Sequence, residues 1–203
     1  MPDTPHAADD GPQSDPGSPA GLPGRARAAV FFDRDGVINE SPGEGYVLSP
    51  DDFTLRPGAA QAVAAARAAG RLTVLVTNQR CVGLGLLSGR GLESIHRKMQ
   101  LELEAAAGVP IDVVYACTAD DDDHPERKPH PGMALRAARE HGIDLASSWM
   151  IGDQDKDIRF ARAAGLAGVI RVASGKPRQL SADAEVEDMH QAAAELAARL
   201  LRR

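Results

Sequence analysis

Two aspartates spaced two residues apart directly follow the first apolar run of the chain. Asp33 and Asp35 come after a run that ends at Phe32, and carboxylates so placed are costly unless a cation or hydrogen bonds compensate them. Mg²⁺ bound by one or two carboxylates and by phosphate oxygens would supply that compensation. One carboxylate could then attack phosphorus while the other serves as general acid and base. An acidic turn is the alternative, since Asp-Gly at 35–36 is a common turn pair.

Hydrogen-bond donors follow the second apolar run. Thr77, Asn78 and Gln79 provide a hydroxyl and two carboxamides there, and such groups can donate hydrogen bonds to phosphate oxygens. If these residues stood alone, capping or closing a turn would be the preferred interpretation.

A positive charge is available ahead of the fourth apolar run. Lys128 precedes Pro129, and a residue before proline is biased toward an extended conformation. An ammonium group held in this way could stabilise a transferring phosphoryl group. A solvated loop lysine is the alternative.

Further aspartates follow the fourth run. Asp153 stands where a third metal-facing carboxylate would be needed, and Asp157 falls one helical turn later on the same face. From there Asp157 could hold Lys128 or a metal-bound water, whereas helix electrostatics alone would also explain an acidic first turn. None of these four groups of polar residues decides by itself between a catalytic and a structural role. Together, the sets at four strand ends offer metal ligands, a nucleophile, phosphate donors and a cation.

Short apolar runs alternate with helical patterns along the chain. The runs end at polar residues or glycine, and their unbroken apolar character is typical of strands buried on both faces. They cover Ala28–Phe32, Leu72–Val76, Val113–Ala116, Trp149–Ile151 and Val169–Val172.

Helical spacing marks the segments between and after these runs. Helices are predicted after Ser88, from Pro57 to Gly70, and after Pro131 as far as Gly142. Apolar positions repeat helically at Leu92, Ile95, Met99 and Leu103, and near the C-terminus at Val186, Met189, Ala193, Leu196 and Leu200. This alternation predicts a parallel sheet flanked by helices, with the ligand bound outside the C-terminal strand ends at a topological switch point.

The composition of the chain argues against several classes of protein. The net charge of −6 argues against a nucleic-acid partner, and no run approaches the roughly 18 apolar residues of a membrane span. Neither a secretory pattern nor a disulfide framework is evident, so we expect a cytoplasmic protein. Residues 1–25, rich in Pro, Gly and Ser, are predicted to be a disordered tail. Residues 26–201 are predicted to form one domain, and a monomer is the default expectation.

The four polar sets, in their order along the chain, resemble the motifs of the haloacid dehalogenase (HAD) superfamily. The matching segments are Phe31–Asn39, Val76–Gln79, Arg127–Met133, and Ile151–Asp153 with Asp157. The resemblance extends from Ala28 to about Lys176, and the motif spacing leaves no room for a large inserted cap domain. It implies a three-layer, Rossmann-like α/β fold with a central parallel five-stranded sheet.

The resemblance also implies roles for the acidic residues and the lysine. Asp33 would be the nucleophile and a Mg²⁺ ligand. Asp35 would protonate the leaving group and then activate water, with its backbone carbonyl on the metal. Asp153 would complete the metal site, while Asp157 would orient Lys128 against the phosphoryl group.

The remaining motif residues receive substrate-related or structural roles from the same resemblance. Thr77 would bind the transferring phosphoryl group together with the lysine. Asn78, Arg127 and Asn39 would contact substrate, whereas Arg34 would point away from the site.

Two segments depart from the family pattern. Related phosphatases hold a structural zinc through three cysteines and a histidine, but the corresponding stretch here offers one of each, Cys117 and His124. A closed zinc site needs four ligands, so we do not expect zinc, and the acidic residues 120–123 are predicted to form a solvated, mobile loop. Cys81 stands where the family usually has glycine, which would cause strain if that position required a positive φ. A catalytic role for its thiol is not expected, since no histidine or cysteine partner is nearby in the sequence.

Within the superfamily, the resemblance is to capless histidinol-phosphate and heptose-bisphosphate phosphatases. Gly45–Val47, Asp52–Phe53 and Arg56–Gly58 resemble the heptose branch more. This implies a Mg²⁺-dependent phosphatase that acts on a small phosphorylated metabolite, with a sugar bisphosphate as first choice. Histidinol phosphate or a broader range of sugar and nucleotide phosphates are the alternatives. A HAD-fold protein that binds phosphorylated ligands without turnover, or a scaffold built on the acidic loop and tail, would belong to another functional class.

Overall fold

The computed structural model describes residues 27–201, so the predicted tail at 1–25 and residues 202–203 lie outside the described part. Six parallel strands form one sheet in the order β3-β2-β1-β4-β5-β6. The strands are β1 Ala29–Phe32, β2 Leu72–Asn78, β3 Val113–Cys117, β4 Trp149–Gly152, β5 Gly168–Val172 and β6 Ala184–Val186.

Helices connect the strands and follow the last one. They are α1 Ala59–Ala68, α2 Arg80–Gly83, α3 Gly89–Ala107, α4 Gly132–His141, α5 Asp155–Ala164 and α6 Met189–Leu201, with short 3-10 helices at Pro50–Asp52 and Leu145–Ser147. The Ser88 hydroxyl accepts the Gly91 N–H at 3.0 Å and caps α3. Gly142 ends α4 in the left-handed conformation with φ of 62°. Both predicted helix boundaries are therefore confirmed.

The strand order reverses between β1 and β4. From β1 the chain builds outward through β2 to β3, then returns to the other side of β1 and adds β4, β5 and β6. Phe32 of β1 is in register with Ile151 of β4. The residues that follow these two strands therefore leave the sheet as neighbours, at the switch point where open α/β sheets bind ligands.

Two hydrophobic cores cover the two faces of the sheet. Helices α1, α3 and α6 pack on the face that carries Val30, Phe32 and Leu75. Helices α4 and α5 pack on the face that carries Phe31 and Val74. Successive residues of β1 thus enter different cores, as alternation along a strand requires. This three-layer α/β architecture confirms the predicted fold class.

The predicted count of five strands is wrong by one. Ala184 of β6 pairs with Ile170 of β5, so Val186 ends a strand and the last helix begins only at Met189. The three-residue spacing of Val186 and Met189 matches a helical repeat by coincidence. A strand of three residues is too short to show a periodicity of its own.

The segment between β1 and α1 contains no inserted domain. Across the described residues 33–58, its regular structure consists of the 3-10 helix and isolated bridges of Asn39 with Asp35 and Leu55. Among residues 27–201, no helix is both long and apolar enough to cross a membrane.

Candidate active site

Asp33 is the first residue beyond β1, and the sheet itself holds it in place. Its N–H donates to the Ile151 carbonyl at 3.1 Å, which continues the hydrogen bonding between β1 and β4. Its side chain is nearly closed to solvent, with a relative exposure of 3% for the residue. Asp33 Oδ1 accepts the backbone N–H of Arg34 at 2.7 Å. No hydrogen bond among the described residues involves Oδ2, so this oxygen is available to a ligand.

Lys128 lies between Asp33 of the first motif and Asp157 of the fourth. Its Nζ is 2.8 Å from Asp33 Oδ1 and 2.7 Å from Asp157 Oδ1, and all three side chains are almost fully buried. Asp157 Oδ2 in turn accepts the backbone N–H groups of Asp153 and Gln154 at 3.2 and 3.0 Å. The start of α5 thus orients Asp157, and Asp157 orients the lysine.

Burial and charge act in opposite directions on the pKa values of this cluster. Desolvation would raise the pKa of Asp33, but the charges of Lys128 and Lys156 outweigh it and the pKa is lowered. Desolvation would likewise lower the pKa of Lys128, yet Asp157 and Asp33 raise it overall. Asp33 is therefore held as a carboxylate beside an ammonium ion, and an ionised carboxylate is the form that can attack phosphorus.

Asp153 is the uncompensated carboxylate of the site. Both of its side-chain oxygens are buried without a hydrogen-bond partner among the described residues. Burial, then repulsion from Asp33 and Asp157, raises its pKa to about 7. The buried hydroxyl of Ser174 is near enough to oppose this shift slightly, although it makes no hydrogen bond to the carboxylate.

A divalent cation would resolve this imbalance. Oxygen atoms of Asp33, Asp153 and Asp157 lie within 4.8 Å of one another. Three carboxylates against the single ammonium of Lys128 leave two negative charges in a buried cluster, and carboxylate oxygens are the ligands that Mg²⁺ prefers. The donor set therefore fits Mg²⁺.

Gly36 makes the close approach of the first and fourth motifs possible. It has φ of 90°, and a Cβ atom at this position would lie 2.4 Å from Asp153 Oδ2. Any larger residue would therefore be strained in its backbone and would also push the Asp153 carboxylate out of place.

Asp35 is held by hydrogen bonds from three side chains. Arg34 contacts it through Nε and Nη2 at 2.9 to 3.0 Å, the Asn39 amide donates at 3.0 Å, and the Gln79 amide donates at 3.1 Å. The side chain of Asp35 is 27% exposed, so the carboxylate reaches solvent while these hydrogen bonds fix its position.

Two expectations for the first motif need correction. Asn39 was expected to contact substrate, but it is fully buried and its amide donates to Asp35 and to the Glu40 carbonyl. Arg34 was expected to point away from the site, yet its guanidinium pairs with the same Asp35 carboxylate. Both side chains face inward because the segment turns tightly: the N–H of Gly36 donates to the Asn39 carbonyl at 2.8 Å.

The end of β2 supplies Thr77, Asn78 and Gln79 to the same edge of the sheet. Thr77 is buried at 1% exposure and its hydroxyl oxygen accepts from the Gln79 amide at 2.7 Å. Asn78 donates to the Lys128 carbonyl and accepts the Lys128 N–H, each at 2.9 Å. Asn78 thus fastens the third motif to the second, while one side of it still borders the cleft described next.

A cleft of about 410 Å³ opens next to Lys128. Its charged lining is mainly cationic, and Arg127, one of the predicted substrate contacts, is part of it. The lining residues are Tyr46, Asn78, Arg80, Asp122, Arg127, Lys128, Pro129 and Lys156. Sequence reasoning did not place Arg80 or Lys156 in the site, although Arg80 directly follows the second motif, Lys156 directly precedes Asp157, and both carry the charge that a phosphate would favour.

Comparisons with known proteins decide the family. A HAD-hydrolase-like family profile matches residues 126–201. A D-glycero-D-manno-heptose-1,7-bisphosphate 7-phosphatase of Thermosynechococcus vestitus is 38% identical over 157 residues, which cover 71% of this chain and 78% of the relative. A D-glycero-beta-D-manno-heptose-1,7-bisphosphate 7-phosphatase of Vibrio cholerae is 40% identical over 164 residues, which cover 75% and 84%.

The chain belongs to the HAD superfamily of phosphatases. A solved structure supports this at the level of the fold: D,D-heptose 1,7-bisphosphate phosphatase from B. bronchiseptica superposes with a TM-score of 0.76 at 32% identity. The alignment covers 85% of this chain and 99% of that one, and the crystal structure of that relative contains magnesium and phosphate.

In this HAD phosphatase, the loop that departs from the family pattern makes ion pairs at the rim of the cleft, and its mobility stays a prediction. Asp120 pairs with Arg80, and Asp122 Oδ1 lies 2.9 Å from Arg127 Nε. The predicted exposure of the aspartates is confirmed, since residues 120–123 are all exposed. The loop also brings Cys117 Sγ and His124 Nδ1 within 3.5 Å of each other. The absence of zinc stays a prediction.

Cys81 of this HAD phosphatase adopts a helical backbone in α2. None of the described non-glycine residues has a positive φ, so the strain considered for this position does not arise. The thiol is buried, and desolvation raises its pKa. A buried thiol with a raised pKa is a poor nucleophile, which agrees with the expectation that it takes no part in the chemistry.

Proposed function

We propose that this HAD phosphatase is a Mg²⁺-dependent phosphomonoesterase that forms an aspartyl-phosphate on Asp33 and then hydrolyses it. The main support for the proposal is the difference between two buried carboxylates, Asp33 and Asp153. Asp33 is an ionised carboxylate held by Lys128, while neighbouring Asp153 has two oxygens without partners. A candidate nucleophile, a fixed cation and carboxylate oxygens without hydrogen-bond partners thus lie together at the switch point of the sheet.

In the first proposed step, Asp33 Oδ2 attacks the phosphorus atom of the substrate. A bond forms between this oxygen and phosphorus, and the bond from phosphorus to the leaving oxygen breaks. Lys128 Nζ and the Thr77 hydroxyl stabilise the charge on the phosphoryl oxygens. Asp35 donates its proton to the leaving oxygen, so the alcohol departs neutral.

In the second proposed step, water hydrolyses the aspartyl-phosphate. Asp35, now a carboxylate, accepts a proton from the water as its oxygen attacks phosphorus. The bond between phosphorus and Asp33 breaks, which releases inorganic phosphate and restores both aspartates. Arg34, Asn39 and Gln79 keep Asp35 in one position through the cycle.

Asp33, Asp153 and the backbone carbonyl of Asp35 would hold the Mg²⁺ ion. When bound, the ion supplies positive charge that neutralises the phosphoryl oxygens and the buried carboxylates. Asp157 stays with Lys128 in this assignment, because its second oxygen already accepts two backbone N–H groups.

A sugar bisphosphate is the substrate class we propose, with removal of the 7-phosphate of a heptose 1,7-bisphosphate as the specific reaction. The relatives named above act on that substrate by name. The cleft beside Lys128 adds Arg80, Arg127 and Lys156, which suits a substrate that carries a second phosphate. A cytoplasmic location and a monomeric state stay predictions from the sequence.

Phosphate release from a panel of substrates tests this proposal. The panel contains both anomers of heptose 1,7-bisphosphate, sugar monophosphates and histidinol phosphate, each with Mg²⁺ and with EDTA. We expect Mg²⁺-dependent release that is greatest with a heptose bisphosphate and that falls by at least 1,000-fold in Asp33→Asn, because the nucleophile is lost.

Asp112→Asn is the matched control for that variant. Asp112 binds Thr73 and Arg67 at the opposite end of the sheet, so its substitution should leave turnover near the wild-type rate. Preferred turnover of histidinol phosphate would contradict the substrate class alone. A folded protein that binds Mg²⁺ and phosphorylated ligands but hydrolyses none of the panel would favour the binding-protein alternative.

A further inference from the structure

We infer that Gln79 is a positioning residue that links the phosphate-binding hydroxyl of Thr77 to the acid–base carboxylate of Asp35. The inference rests on the proposed function, because it concerns how the second motif sets the geometry of the proposed acid. Gln79 itself is only 2% exposed and therefore acts on the reaction through these two neighbours.

One amide nitrogen makes both contacts. Gln79 Nε2 lies 2.7 Å from Thr77 Oγ1 and 3.1 Å from Asp35 Oδ2. The amide has two N–H groups, so each can be used once. The backbone of Gln79 is also fixed, since its N–H donates to the Cys117 carbonyl at 2.7 Å.

The orientation of this amide suits both of its partners. The nitrogen rather than the oxygen of Gln79 faces Asp35, and a carboxyl group can accept this hydrogen bond both before and after it gives up its proton. The amide oxygen faces the opposite way, 3.8 Å from Cys81 Sγ, where the thiol can donate weakly. Because Thr77 Oγ1 accepts from Gln79, its own hydrogen is left to donate to a phosphate oxygen. The amide therefore leaves Thr77 free to act as a donor to the phosphoryl group in the proposed mechanism.

The contacts of Asp35 explain why Gln79 matters most among them. Arg34 and Asn39 belong to the same turn as Asp35, one and four positions away in sequence. Gln79 is 44 positions away, at the end of a different strand. Among the described side-chain contacts of Asp35, it alone fixes the carboxylate relative to β2, where the phosphate would be held. Loss of this contact would leave Asp35 well ordered in its turn but misplaced relative to the leaving oxygen.

Gln79→Met tests the link, because methionine keeps the length and volume of glutamine and removes both N–H donors. The rate of the first step, measured as release of the alcohol or phenolate in a single turnover, is compared for a sugar phosphate, whose alkoxide must be protonated as it leaves, and for p-nitrophenyl phosphate, whose phenolate leaves without an acid. Hydrolysis of the aspartyl-phosphate, which needs Asp35 as the base with either substrate, does not enter this rate. We expect the rate for the sugar phosphate to fall by about 100-fold, the size of effect that misplacing a catalytic group by about 1 Å can produce. For p-nitrophenyl phosphate we expect a fall of about fivefold, corresponding to the loss of one hydrogen bond near Thr77.

Two further variants make the outcome decisive. Asp35→Asn should show the same selective loss on the sugar phosphate, and Gln100→Met, which removes an amide bonded to the Ile111 backbone, should affect neither substrate selectively. If the sugar phosphate and the aryl phosphate slow by the same factor in Gln79→Met, the positioning role is overturned. If Asp35→Asn also shows no selectivity, the proposed acid role fails as well, which is a separate result. Gln79→Asn, which keeps the amide but is too short for both contacts, gives the same comparison should the methionine variant not fold.

Discussion

The site contains two sets of paired charges that differ in their surroundings. In the buried cluster, the side chains of Lys128 and Asp157 are 0% exposed and that of Asp33 is 4% exposed. In the rim cluster of Arg80, Asp120, Arg127 and Asp122, Asp122 is 75% exposed and the others range from 13% to 46%. The ion pairs of the buried cluster therefore lie in a low-dielectric environment, whereas those of the rim cluster are in contact with water.

This difference separates what each cluster can do. Charges removed from water interact strongly and are costly when unpaired, so the buried cluster must remain complete or be compensated by a cation. Exposed pairs gain little because water and salt screen them. Under the proposed function, the buried cluster therefore stabilises a developing charge in one geometry, whereas the rim cluster exchanges its carboxylates for a phosphate of the substrate. Four expected outcomes follow, from the largest effect to the smallest.

Lys128→Met should have the largest effect on stability. Removal of the ammonium leaves Asp33 and Asp157 buried without their shared partner, which costs about 3–5 kcal/mol. Urea unfolding of the metal-free protein measures this loss, and phosphate release should be abolished in the same variant. Lys98→Met is the control, because the 32% exposed side chain of Lys98 donates to two backbone carbonyls and pairs with Glu102. Its loss should cost about 1 kcal/mol. If Lys128→Met lowered the free energy of unfolding by less than Lys98→Met does, the distinction between the buried cluster and the rim cluster would be contradicted.

Asp153→Asn should increase the stability of the metal-free protein while removing its response to Mg²⁺. The raised pKa of Asp153, caused by burial and by repulsion from Asp33 and Asp157, means that its carboxylate destabilises the fold when no cation is present. In the wild type, Mg²⁺ at about 100 times its dissociation constant should add about 3 kcal/mol to the free energy of unfolding. Thermal melting with and without Mg²⁺ measures both quantities. Equal Mg²⁺ stabilisation of variant and wild type would show that the ion binds elsewhere.

His96 extends the comparison to a partly buried imidazole that stays neutral at pH 7. Burial, together with the charge of Arg34, lowers its pKa to about 4, against a smaller opposing effect of Asp35. The unfolded chain therefore takes up a proton near pH 6.5 that the folded protein does not. Stability is fully present above about pH 6.5 and is lost as the pH falls toward 4, by about 2 kcal/mol between pH 7 and pH 4.5. Urea unfolding of wild type and His96→Leu over this range should show a flatter pH dependence for the variant; parallel curves would refute the assignment.

Asp122→Asn should have the smallest effect. Its carboxylate pairs with Arg127 from a largely solvated position, so we expect no measurable change in the urea midpoint. The same substitution frees Arg127, and KM for a sugar bisphosphate should fall about twofold while KM for a monophosphate stays constant. Asp123→Asn, a neighbouring exposed aspartate, is the control. A clear loss of stability would mean that the rim cluster is structural and would remove the contrast with the buried one.

Much of the fold could be read from the sequence because unbroken apolar runs and helical repeats report burial directly. The five predicted strands all form, and Ser88 and Gly142 bound their helices as expected. β6 was missed because a three-residue edge strand with one exposed position carries too little pattern. Its place in the sheet depends on β5, which lies nearby only after folding.

The order of the polar motifs and their location at the strand ends were determined by the sequence alone. Asp33, Asp153 and Asp157 converge because parallel strands end at one edge of the sheet, and that consequence is independent of side-chain detail. Lys128 joins them through the Asn78 side chain, which holds its backbone. Only the tertiary structure decided which atom faces which. In the folded protein, Asn39 points inward, Arg34 pairs with Asp35, and the amide nitrogen of Gln79 contacts both Thr77 and Asp35. The sequence does not specify such contacts, because they depend on exact distances and side-chain directions that are set only when the chain folds.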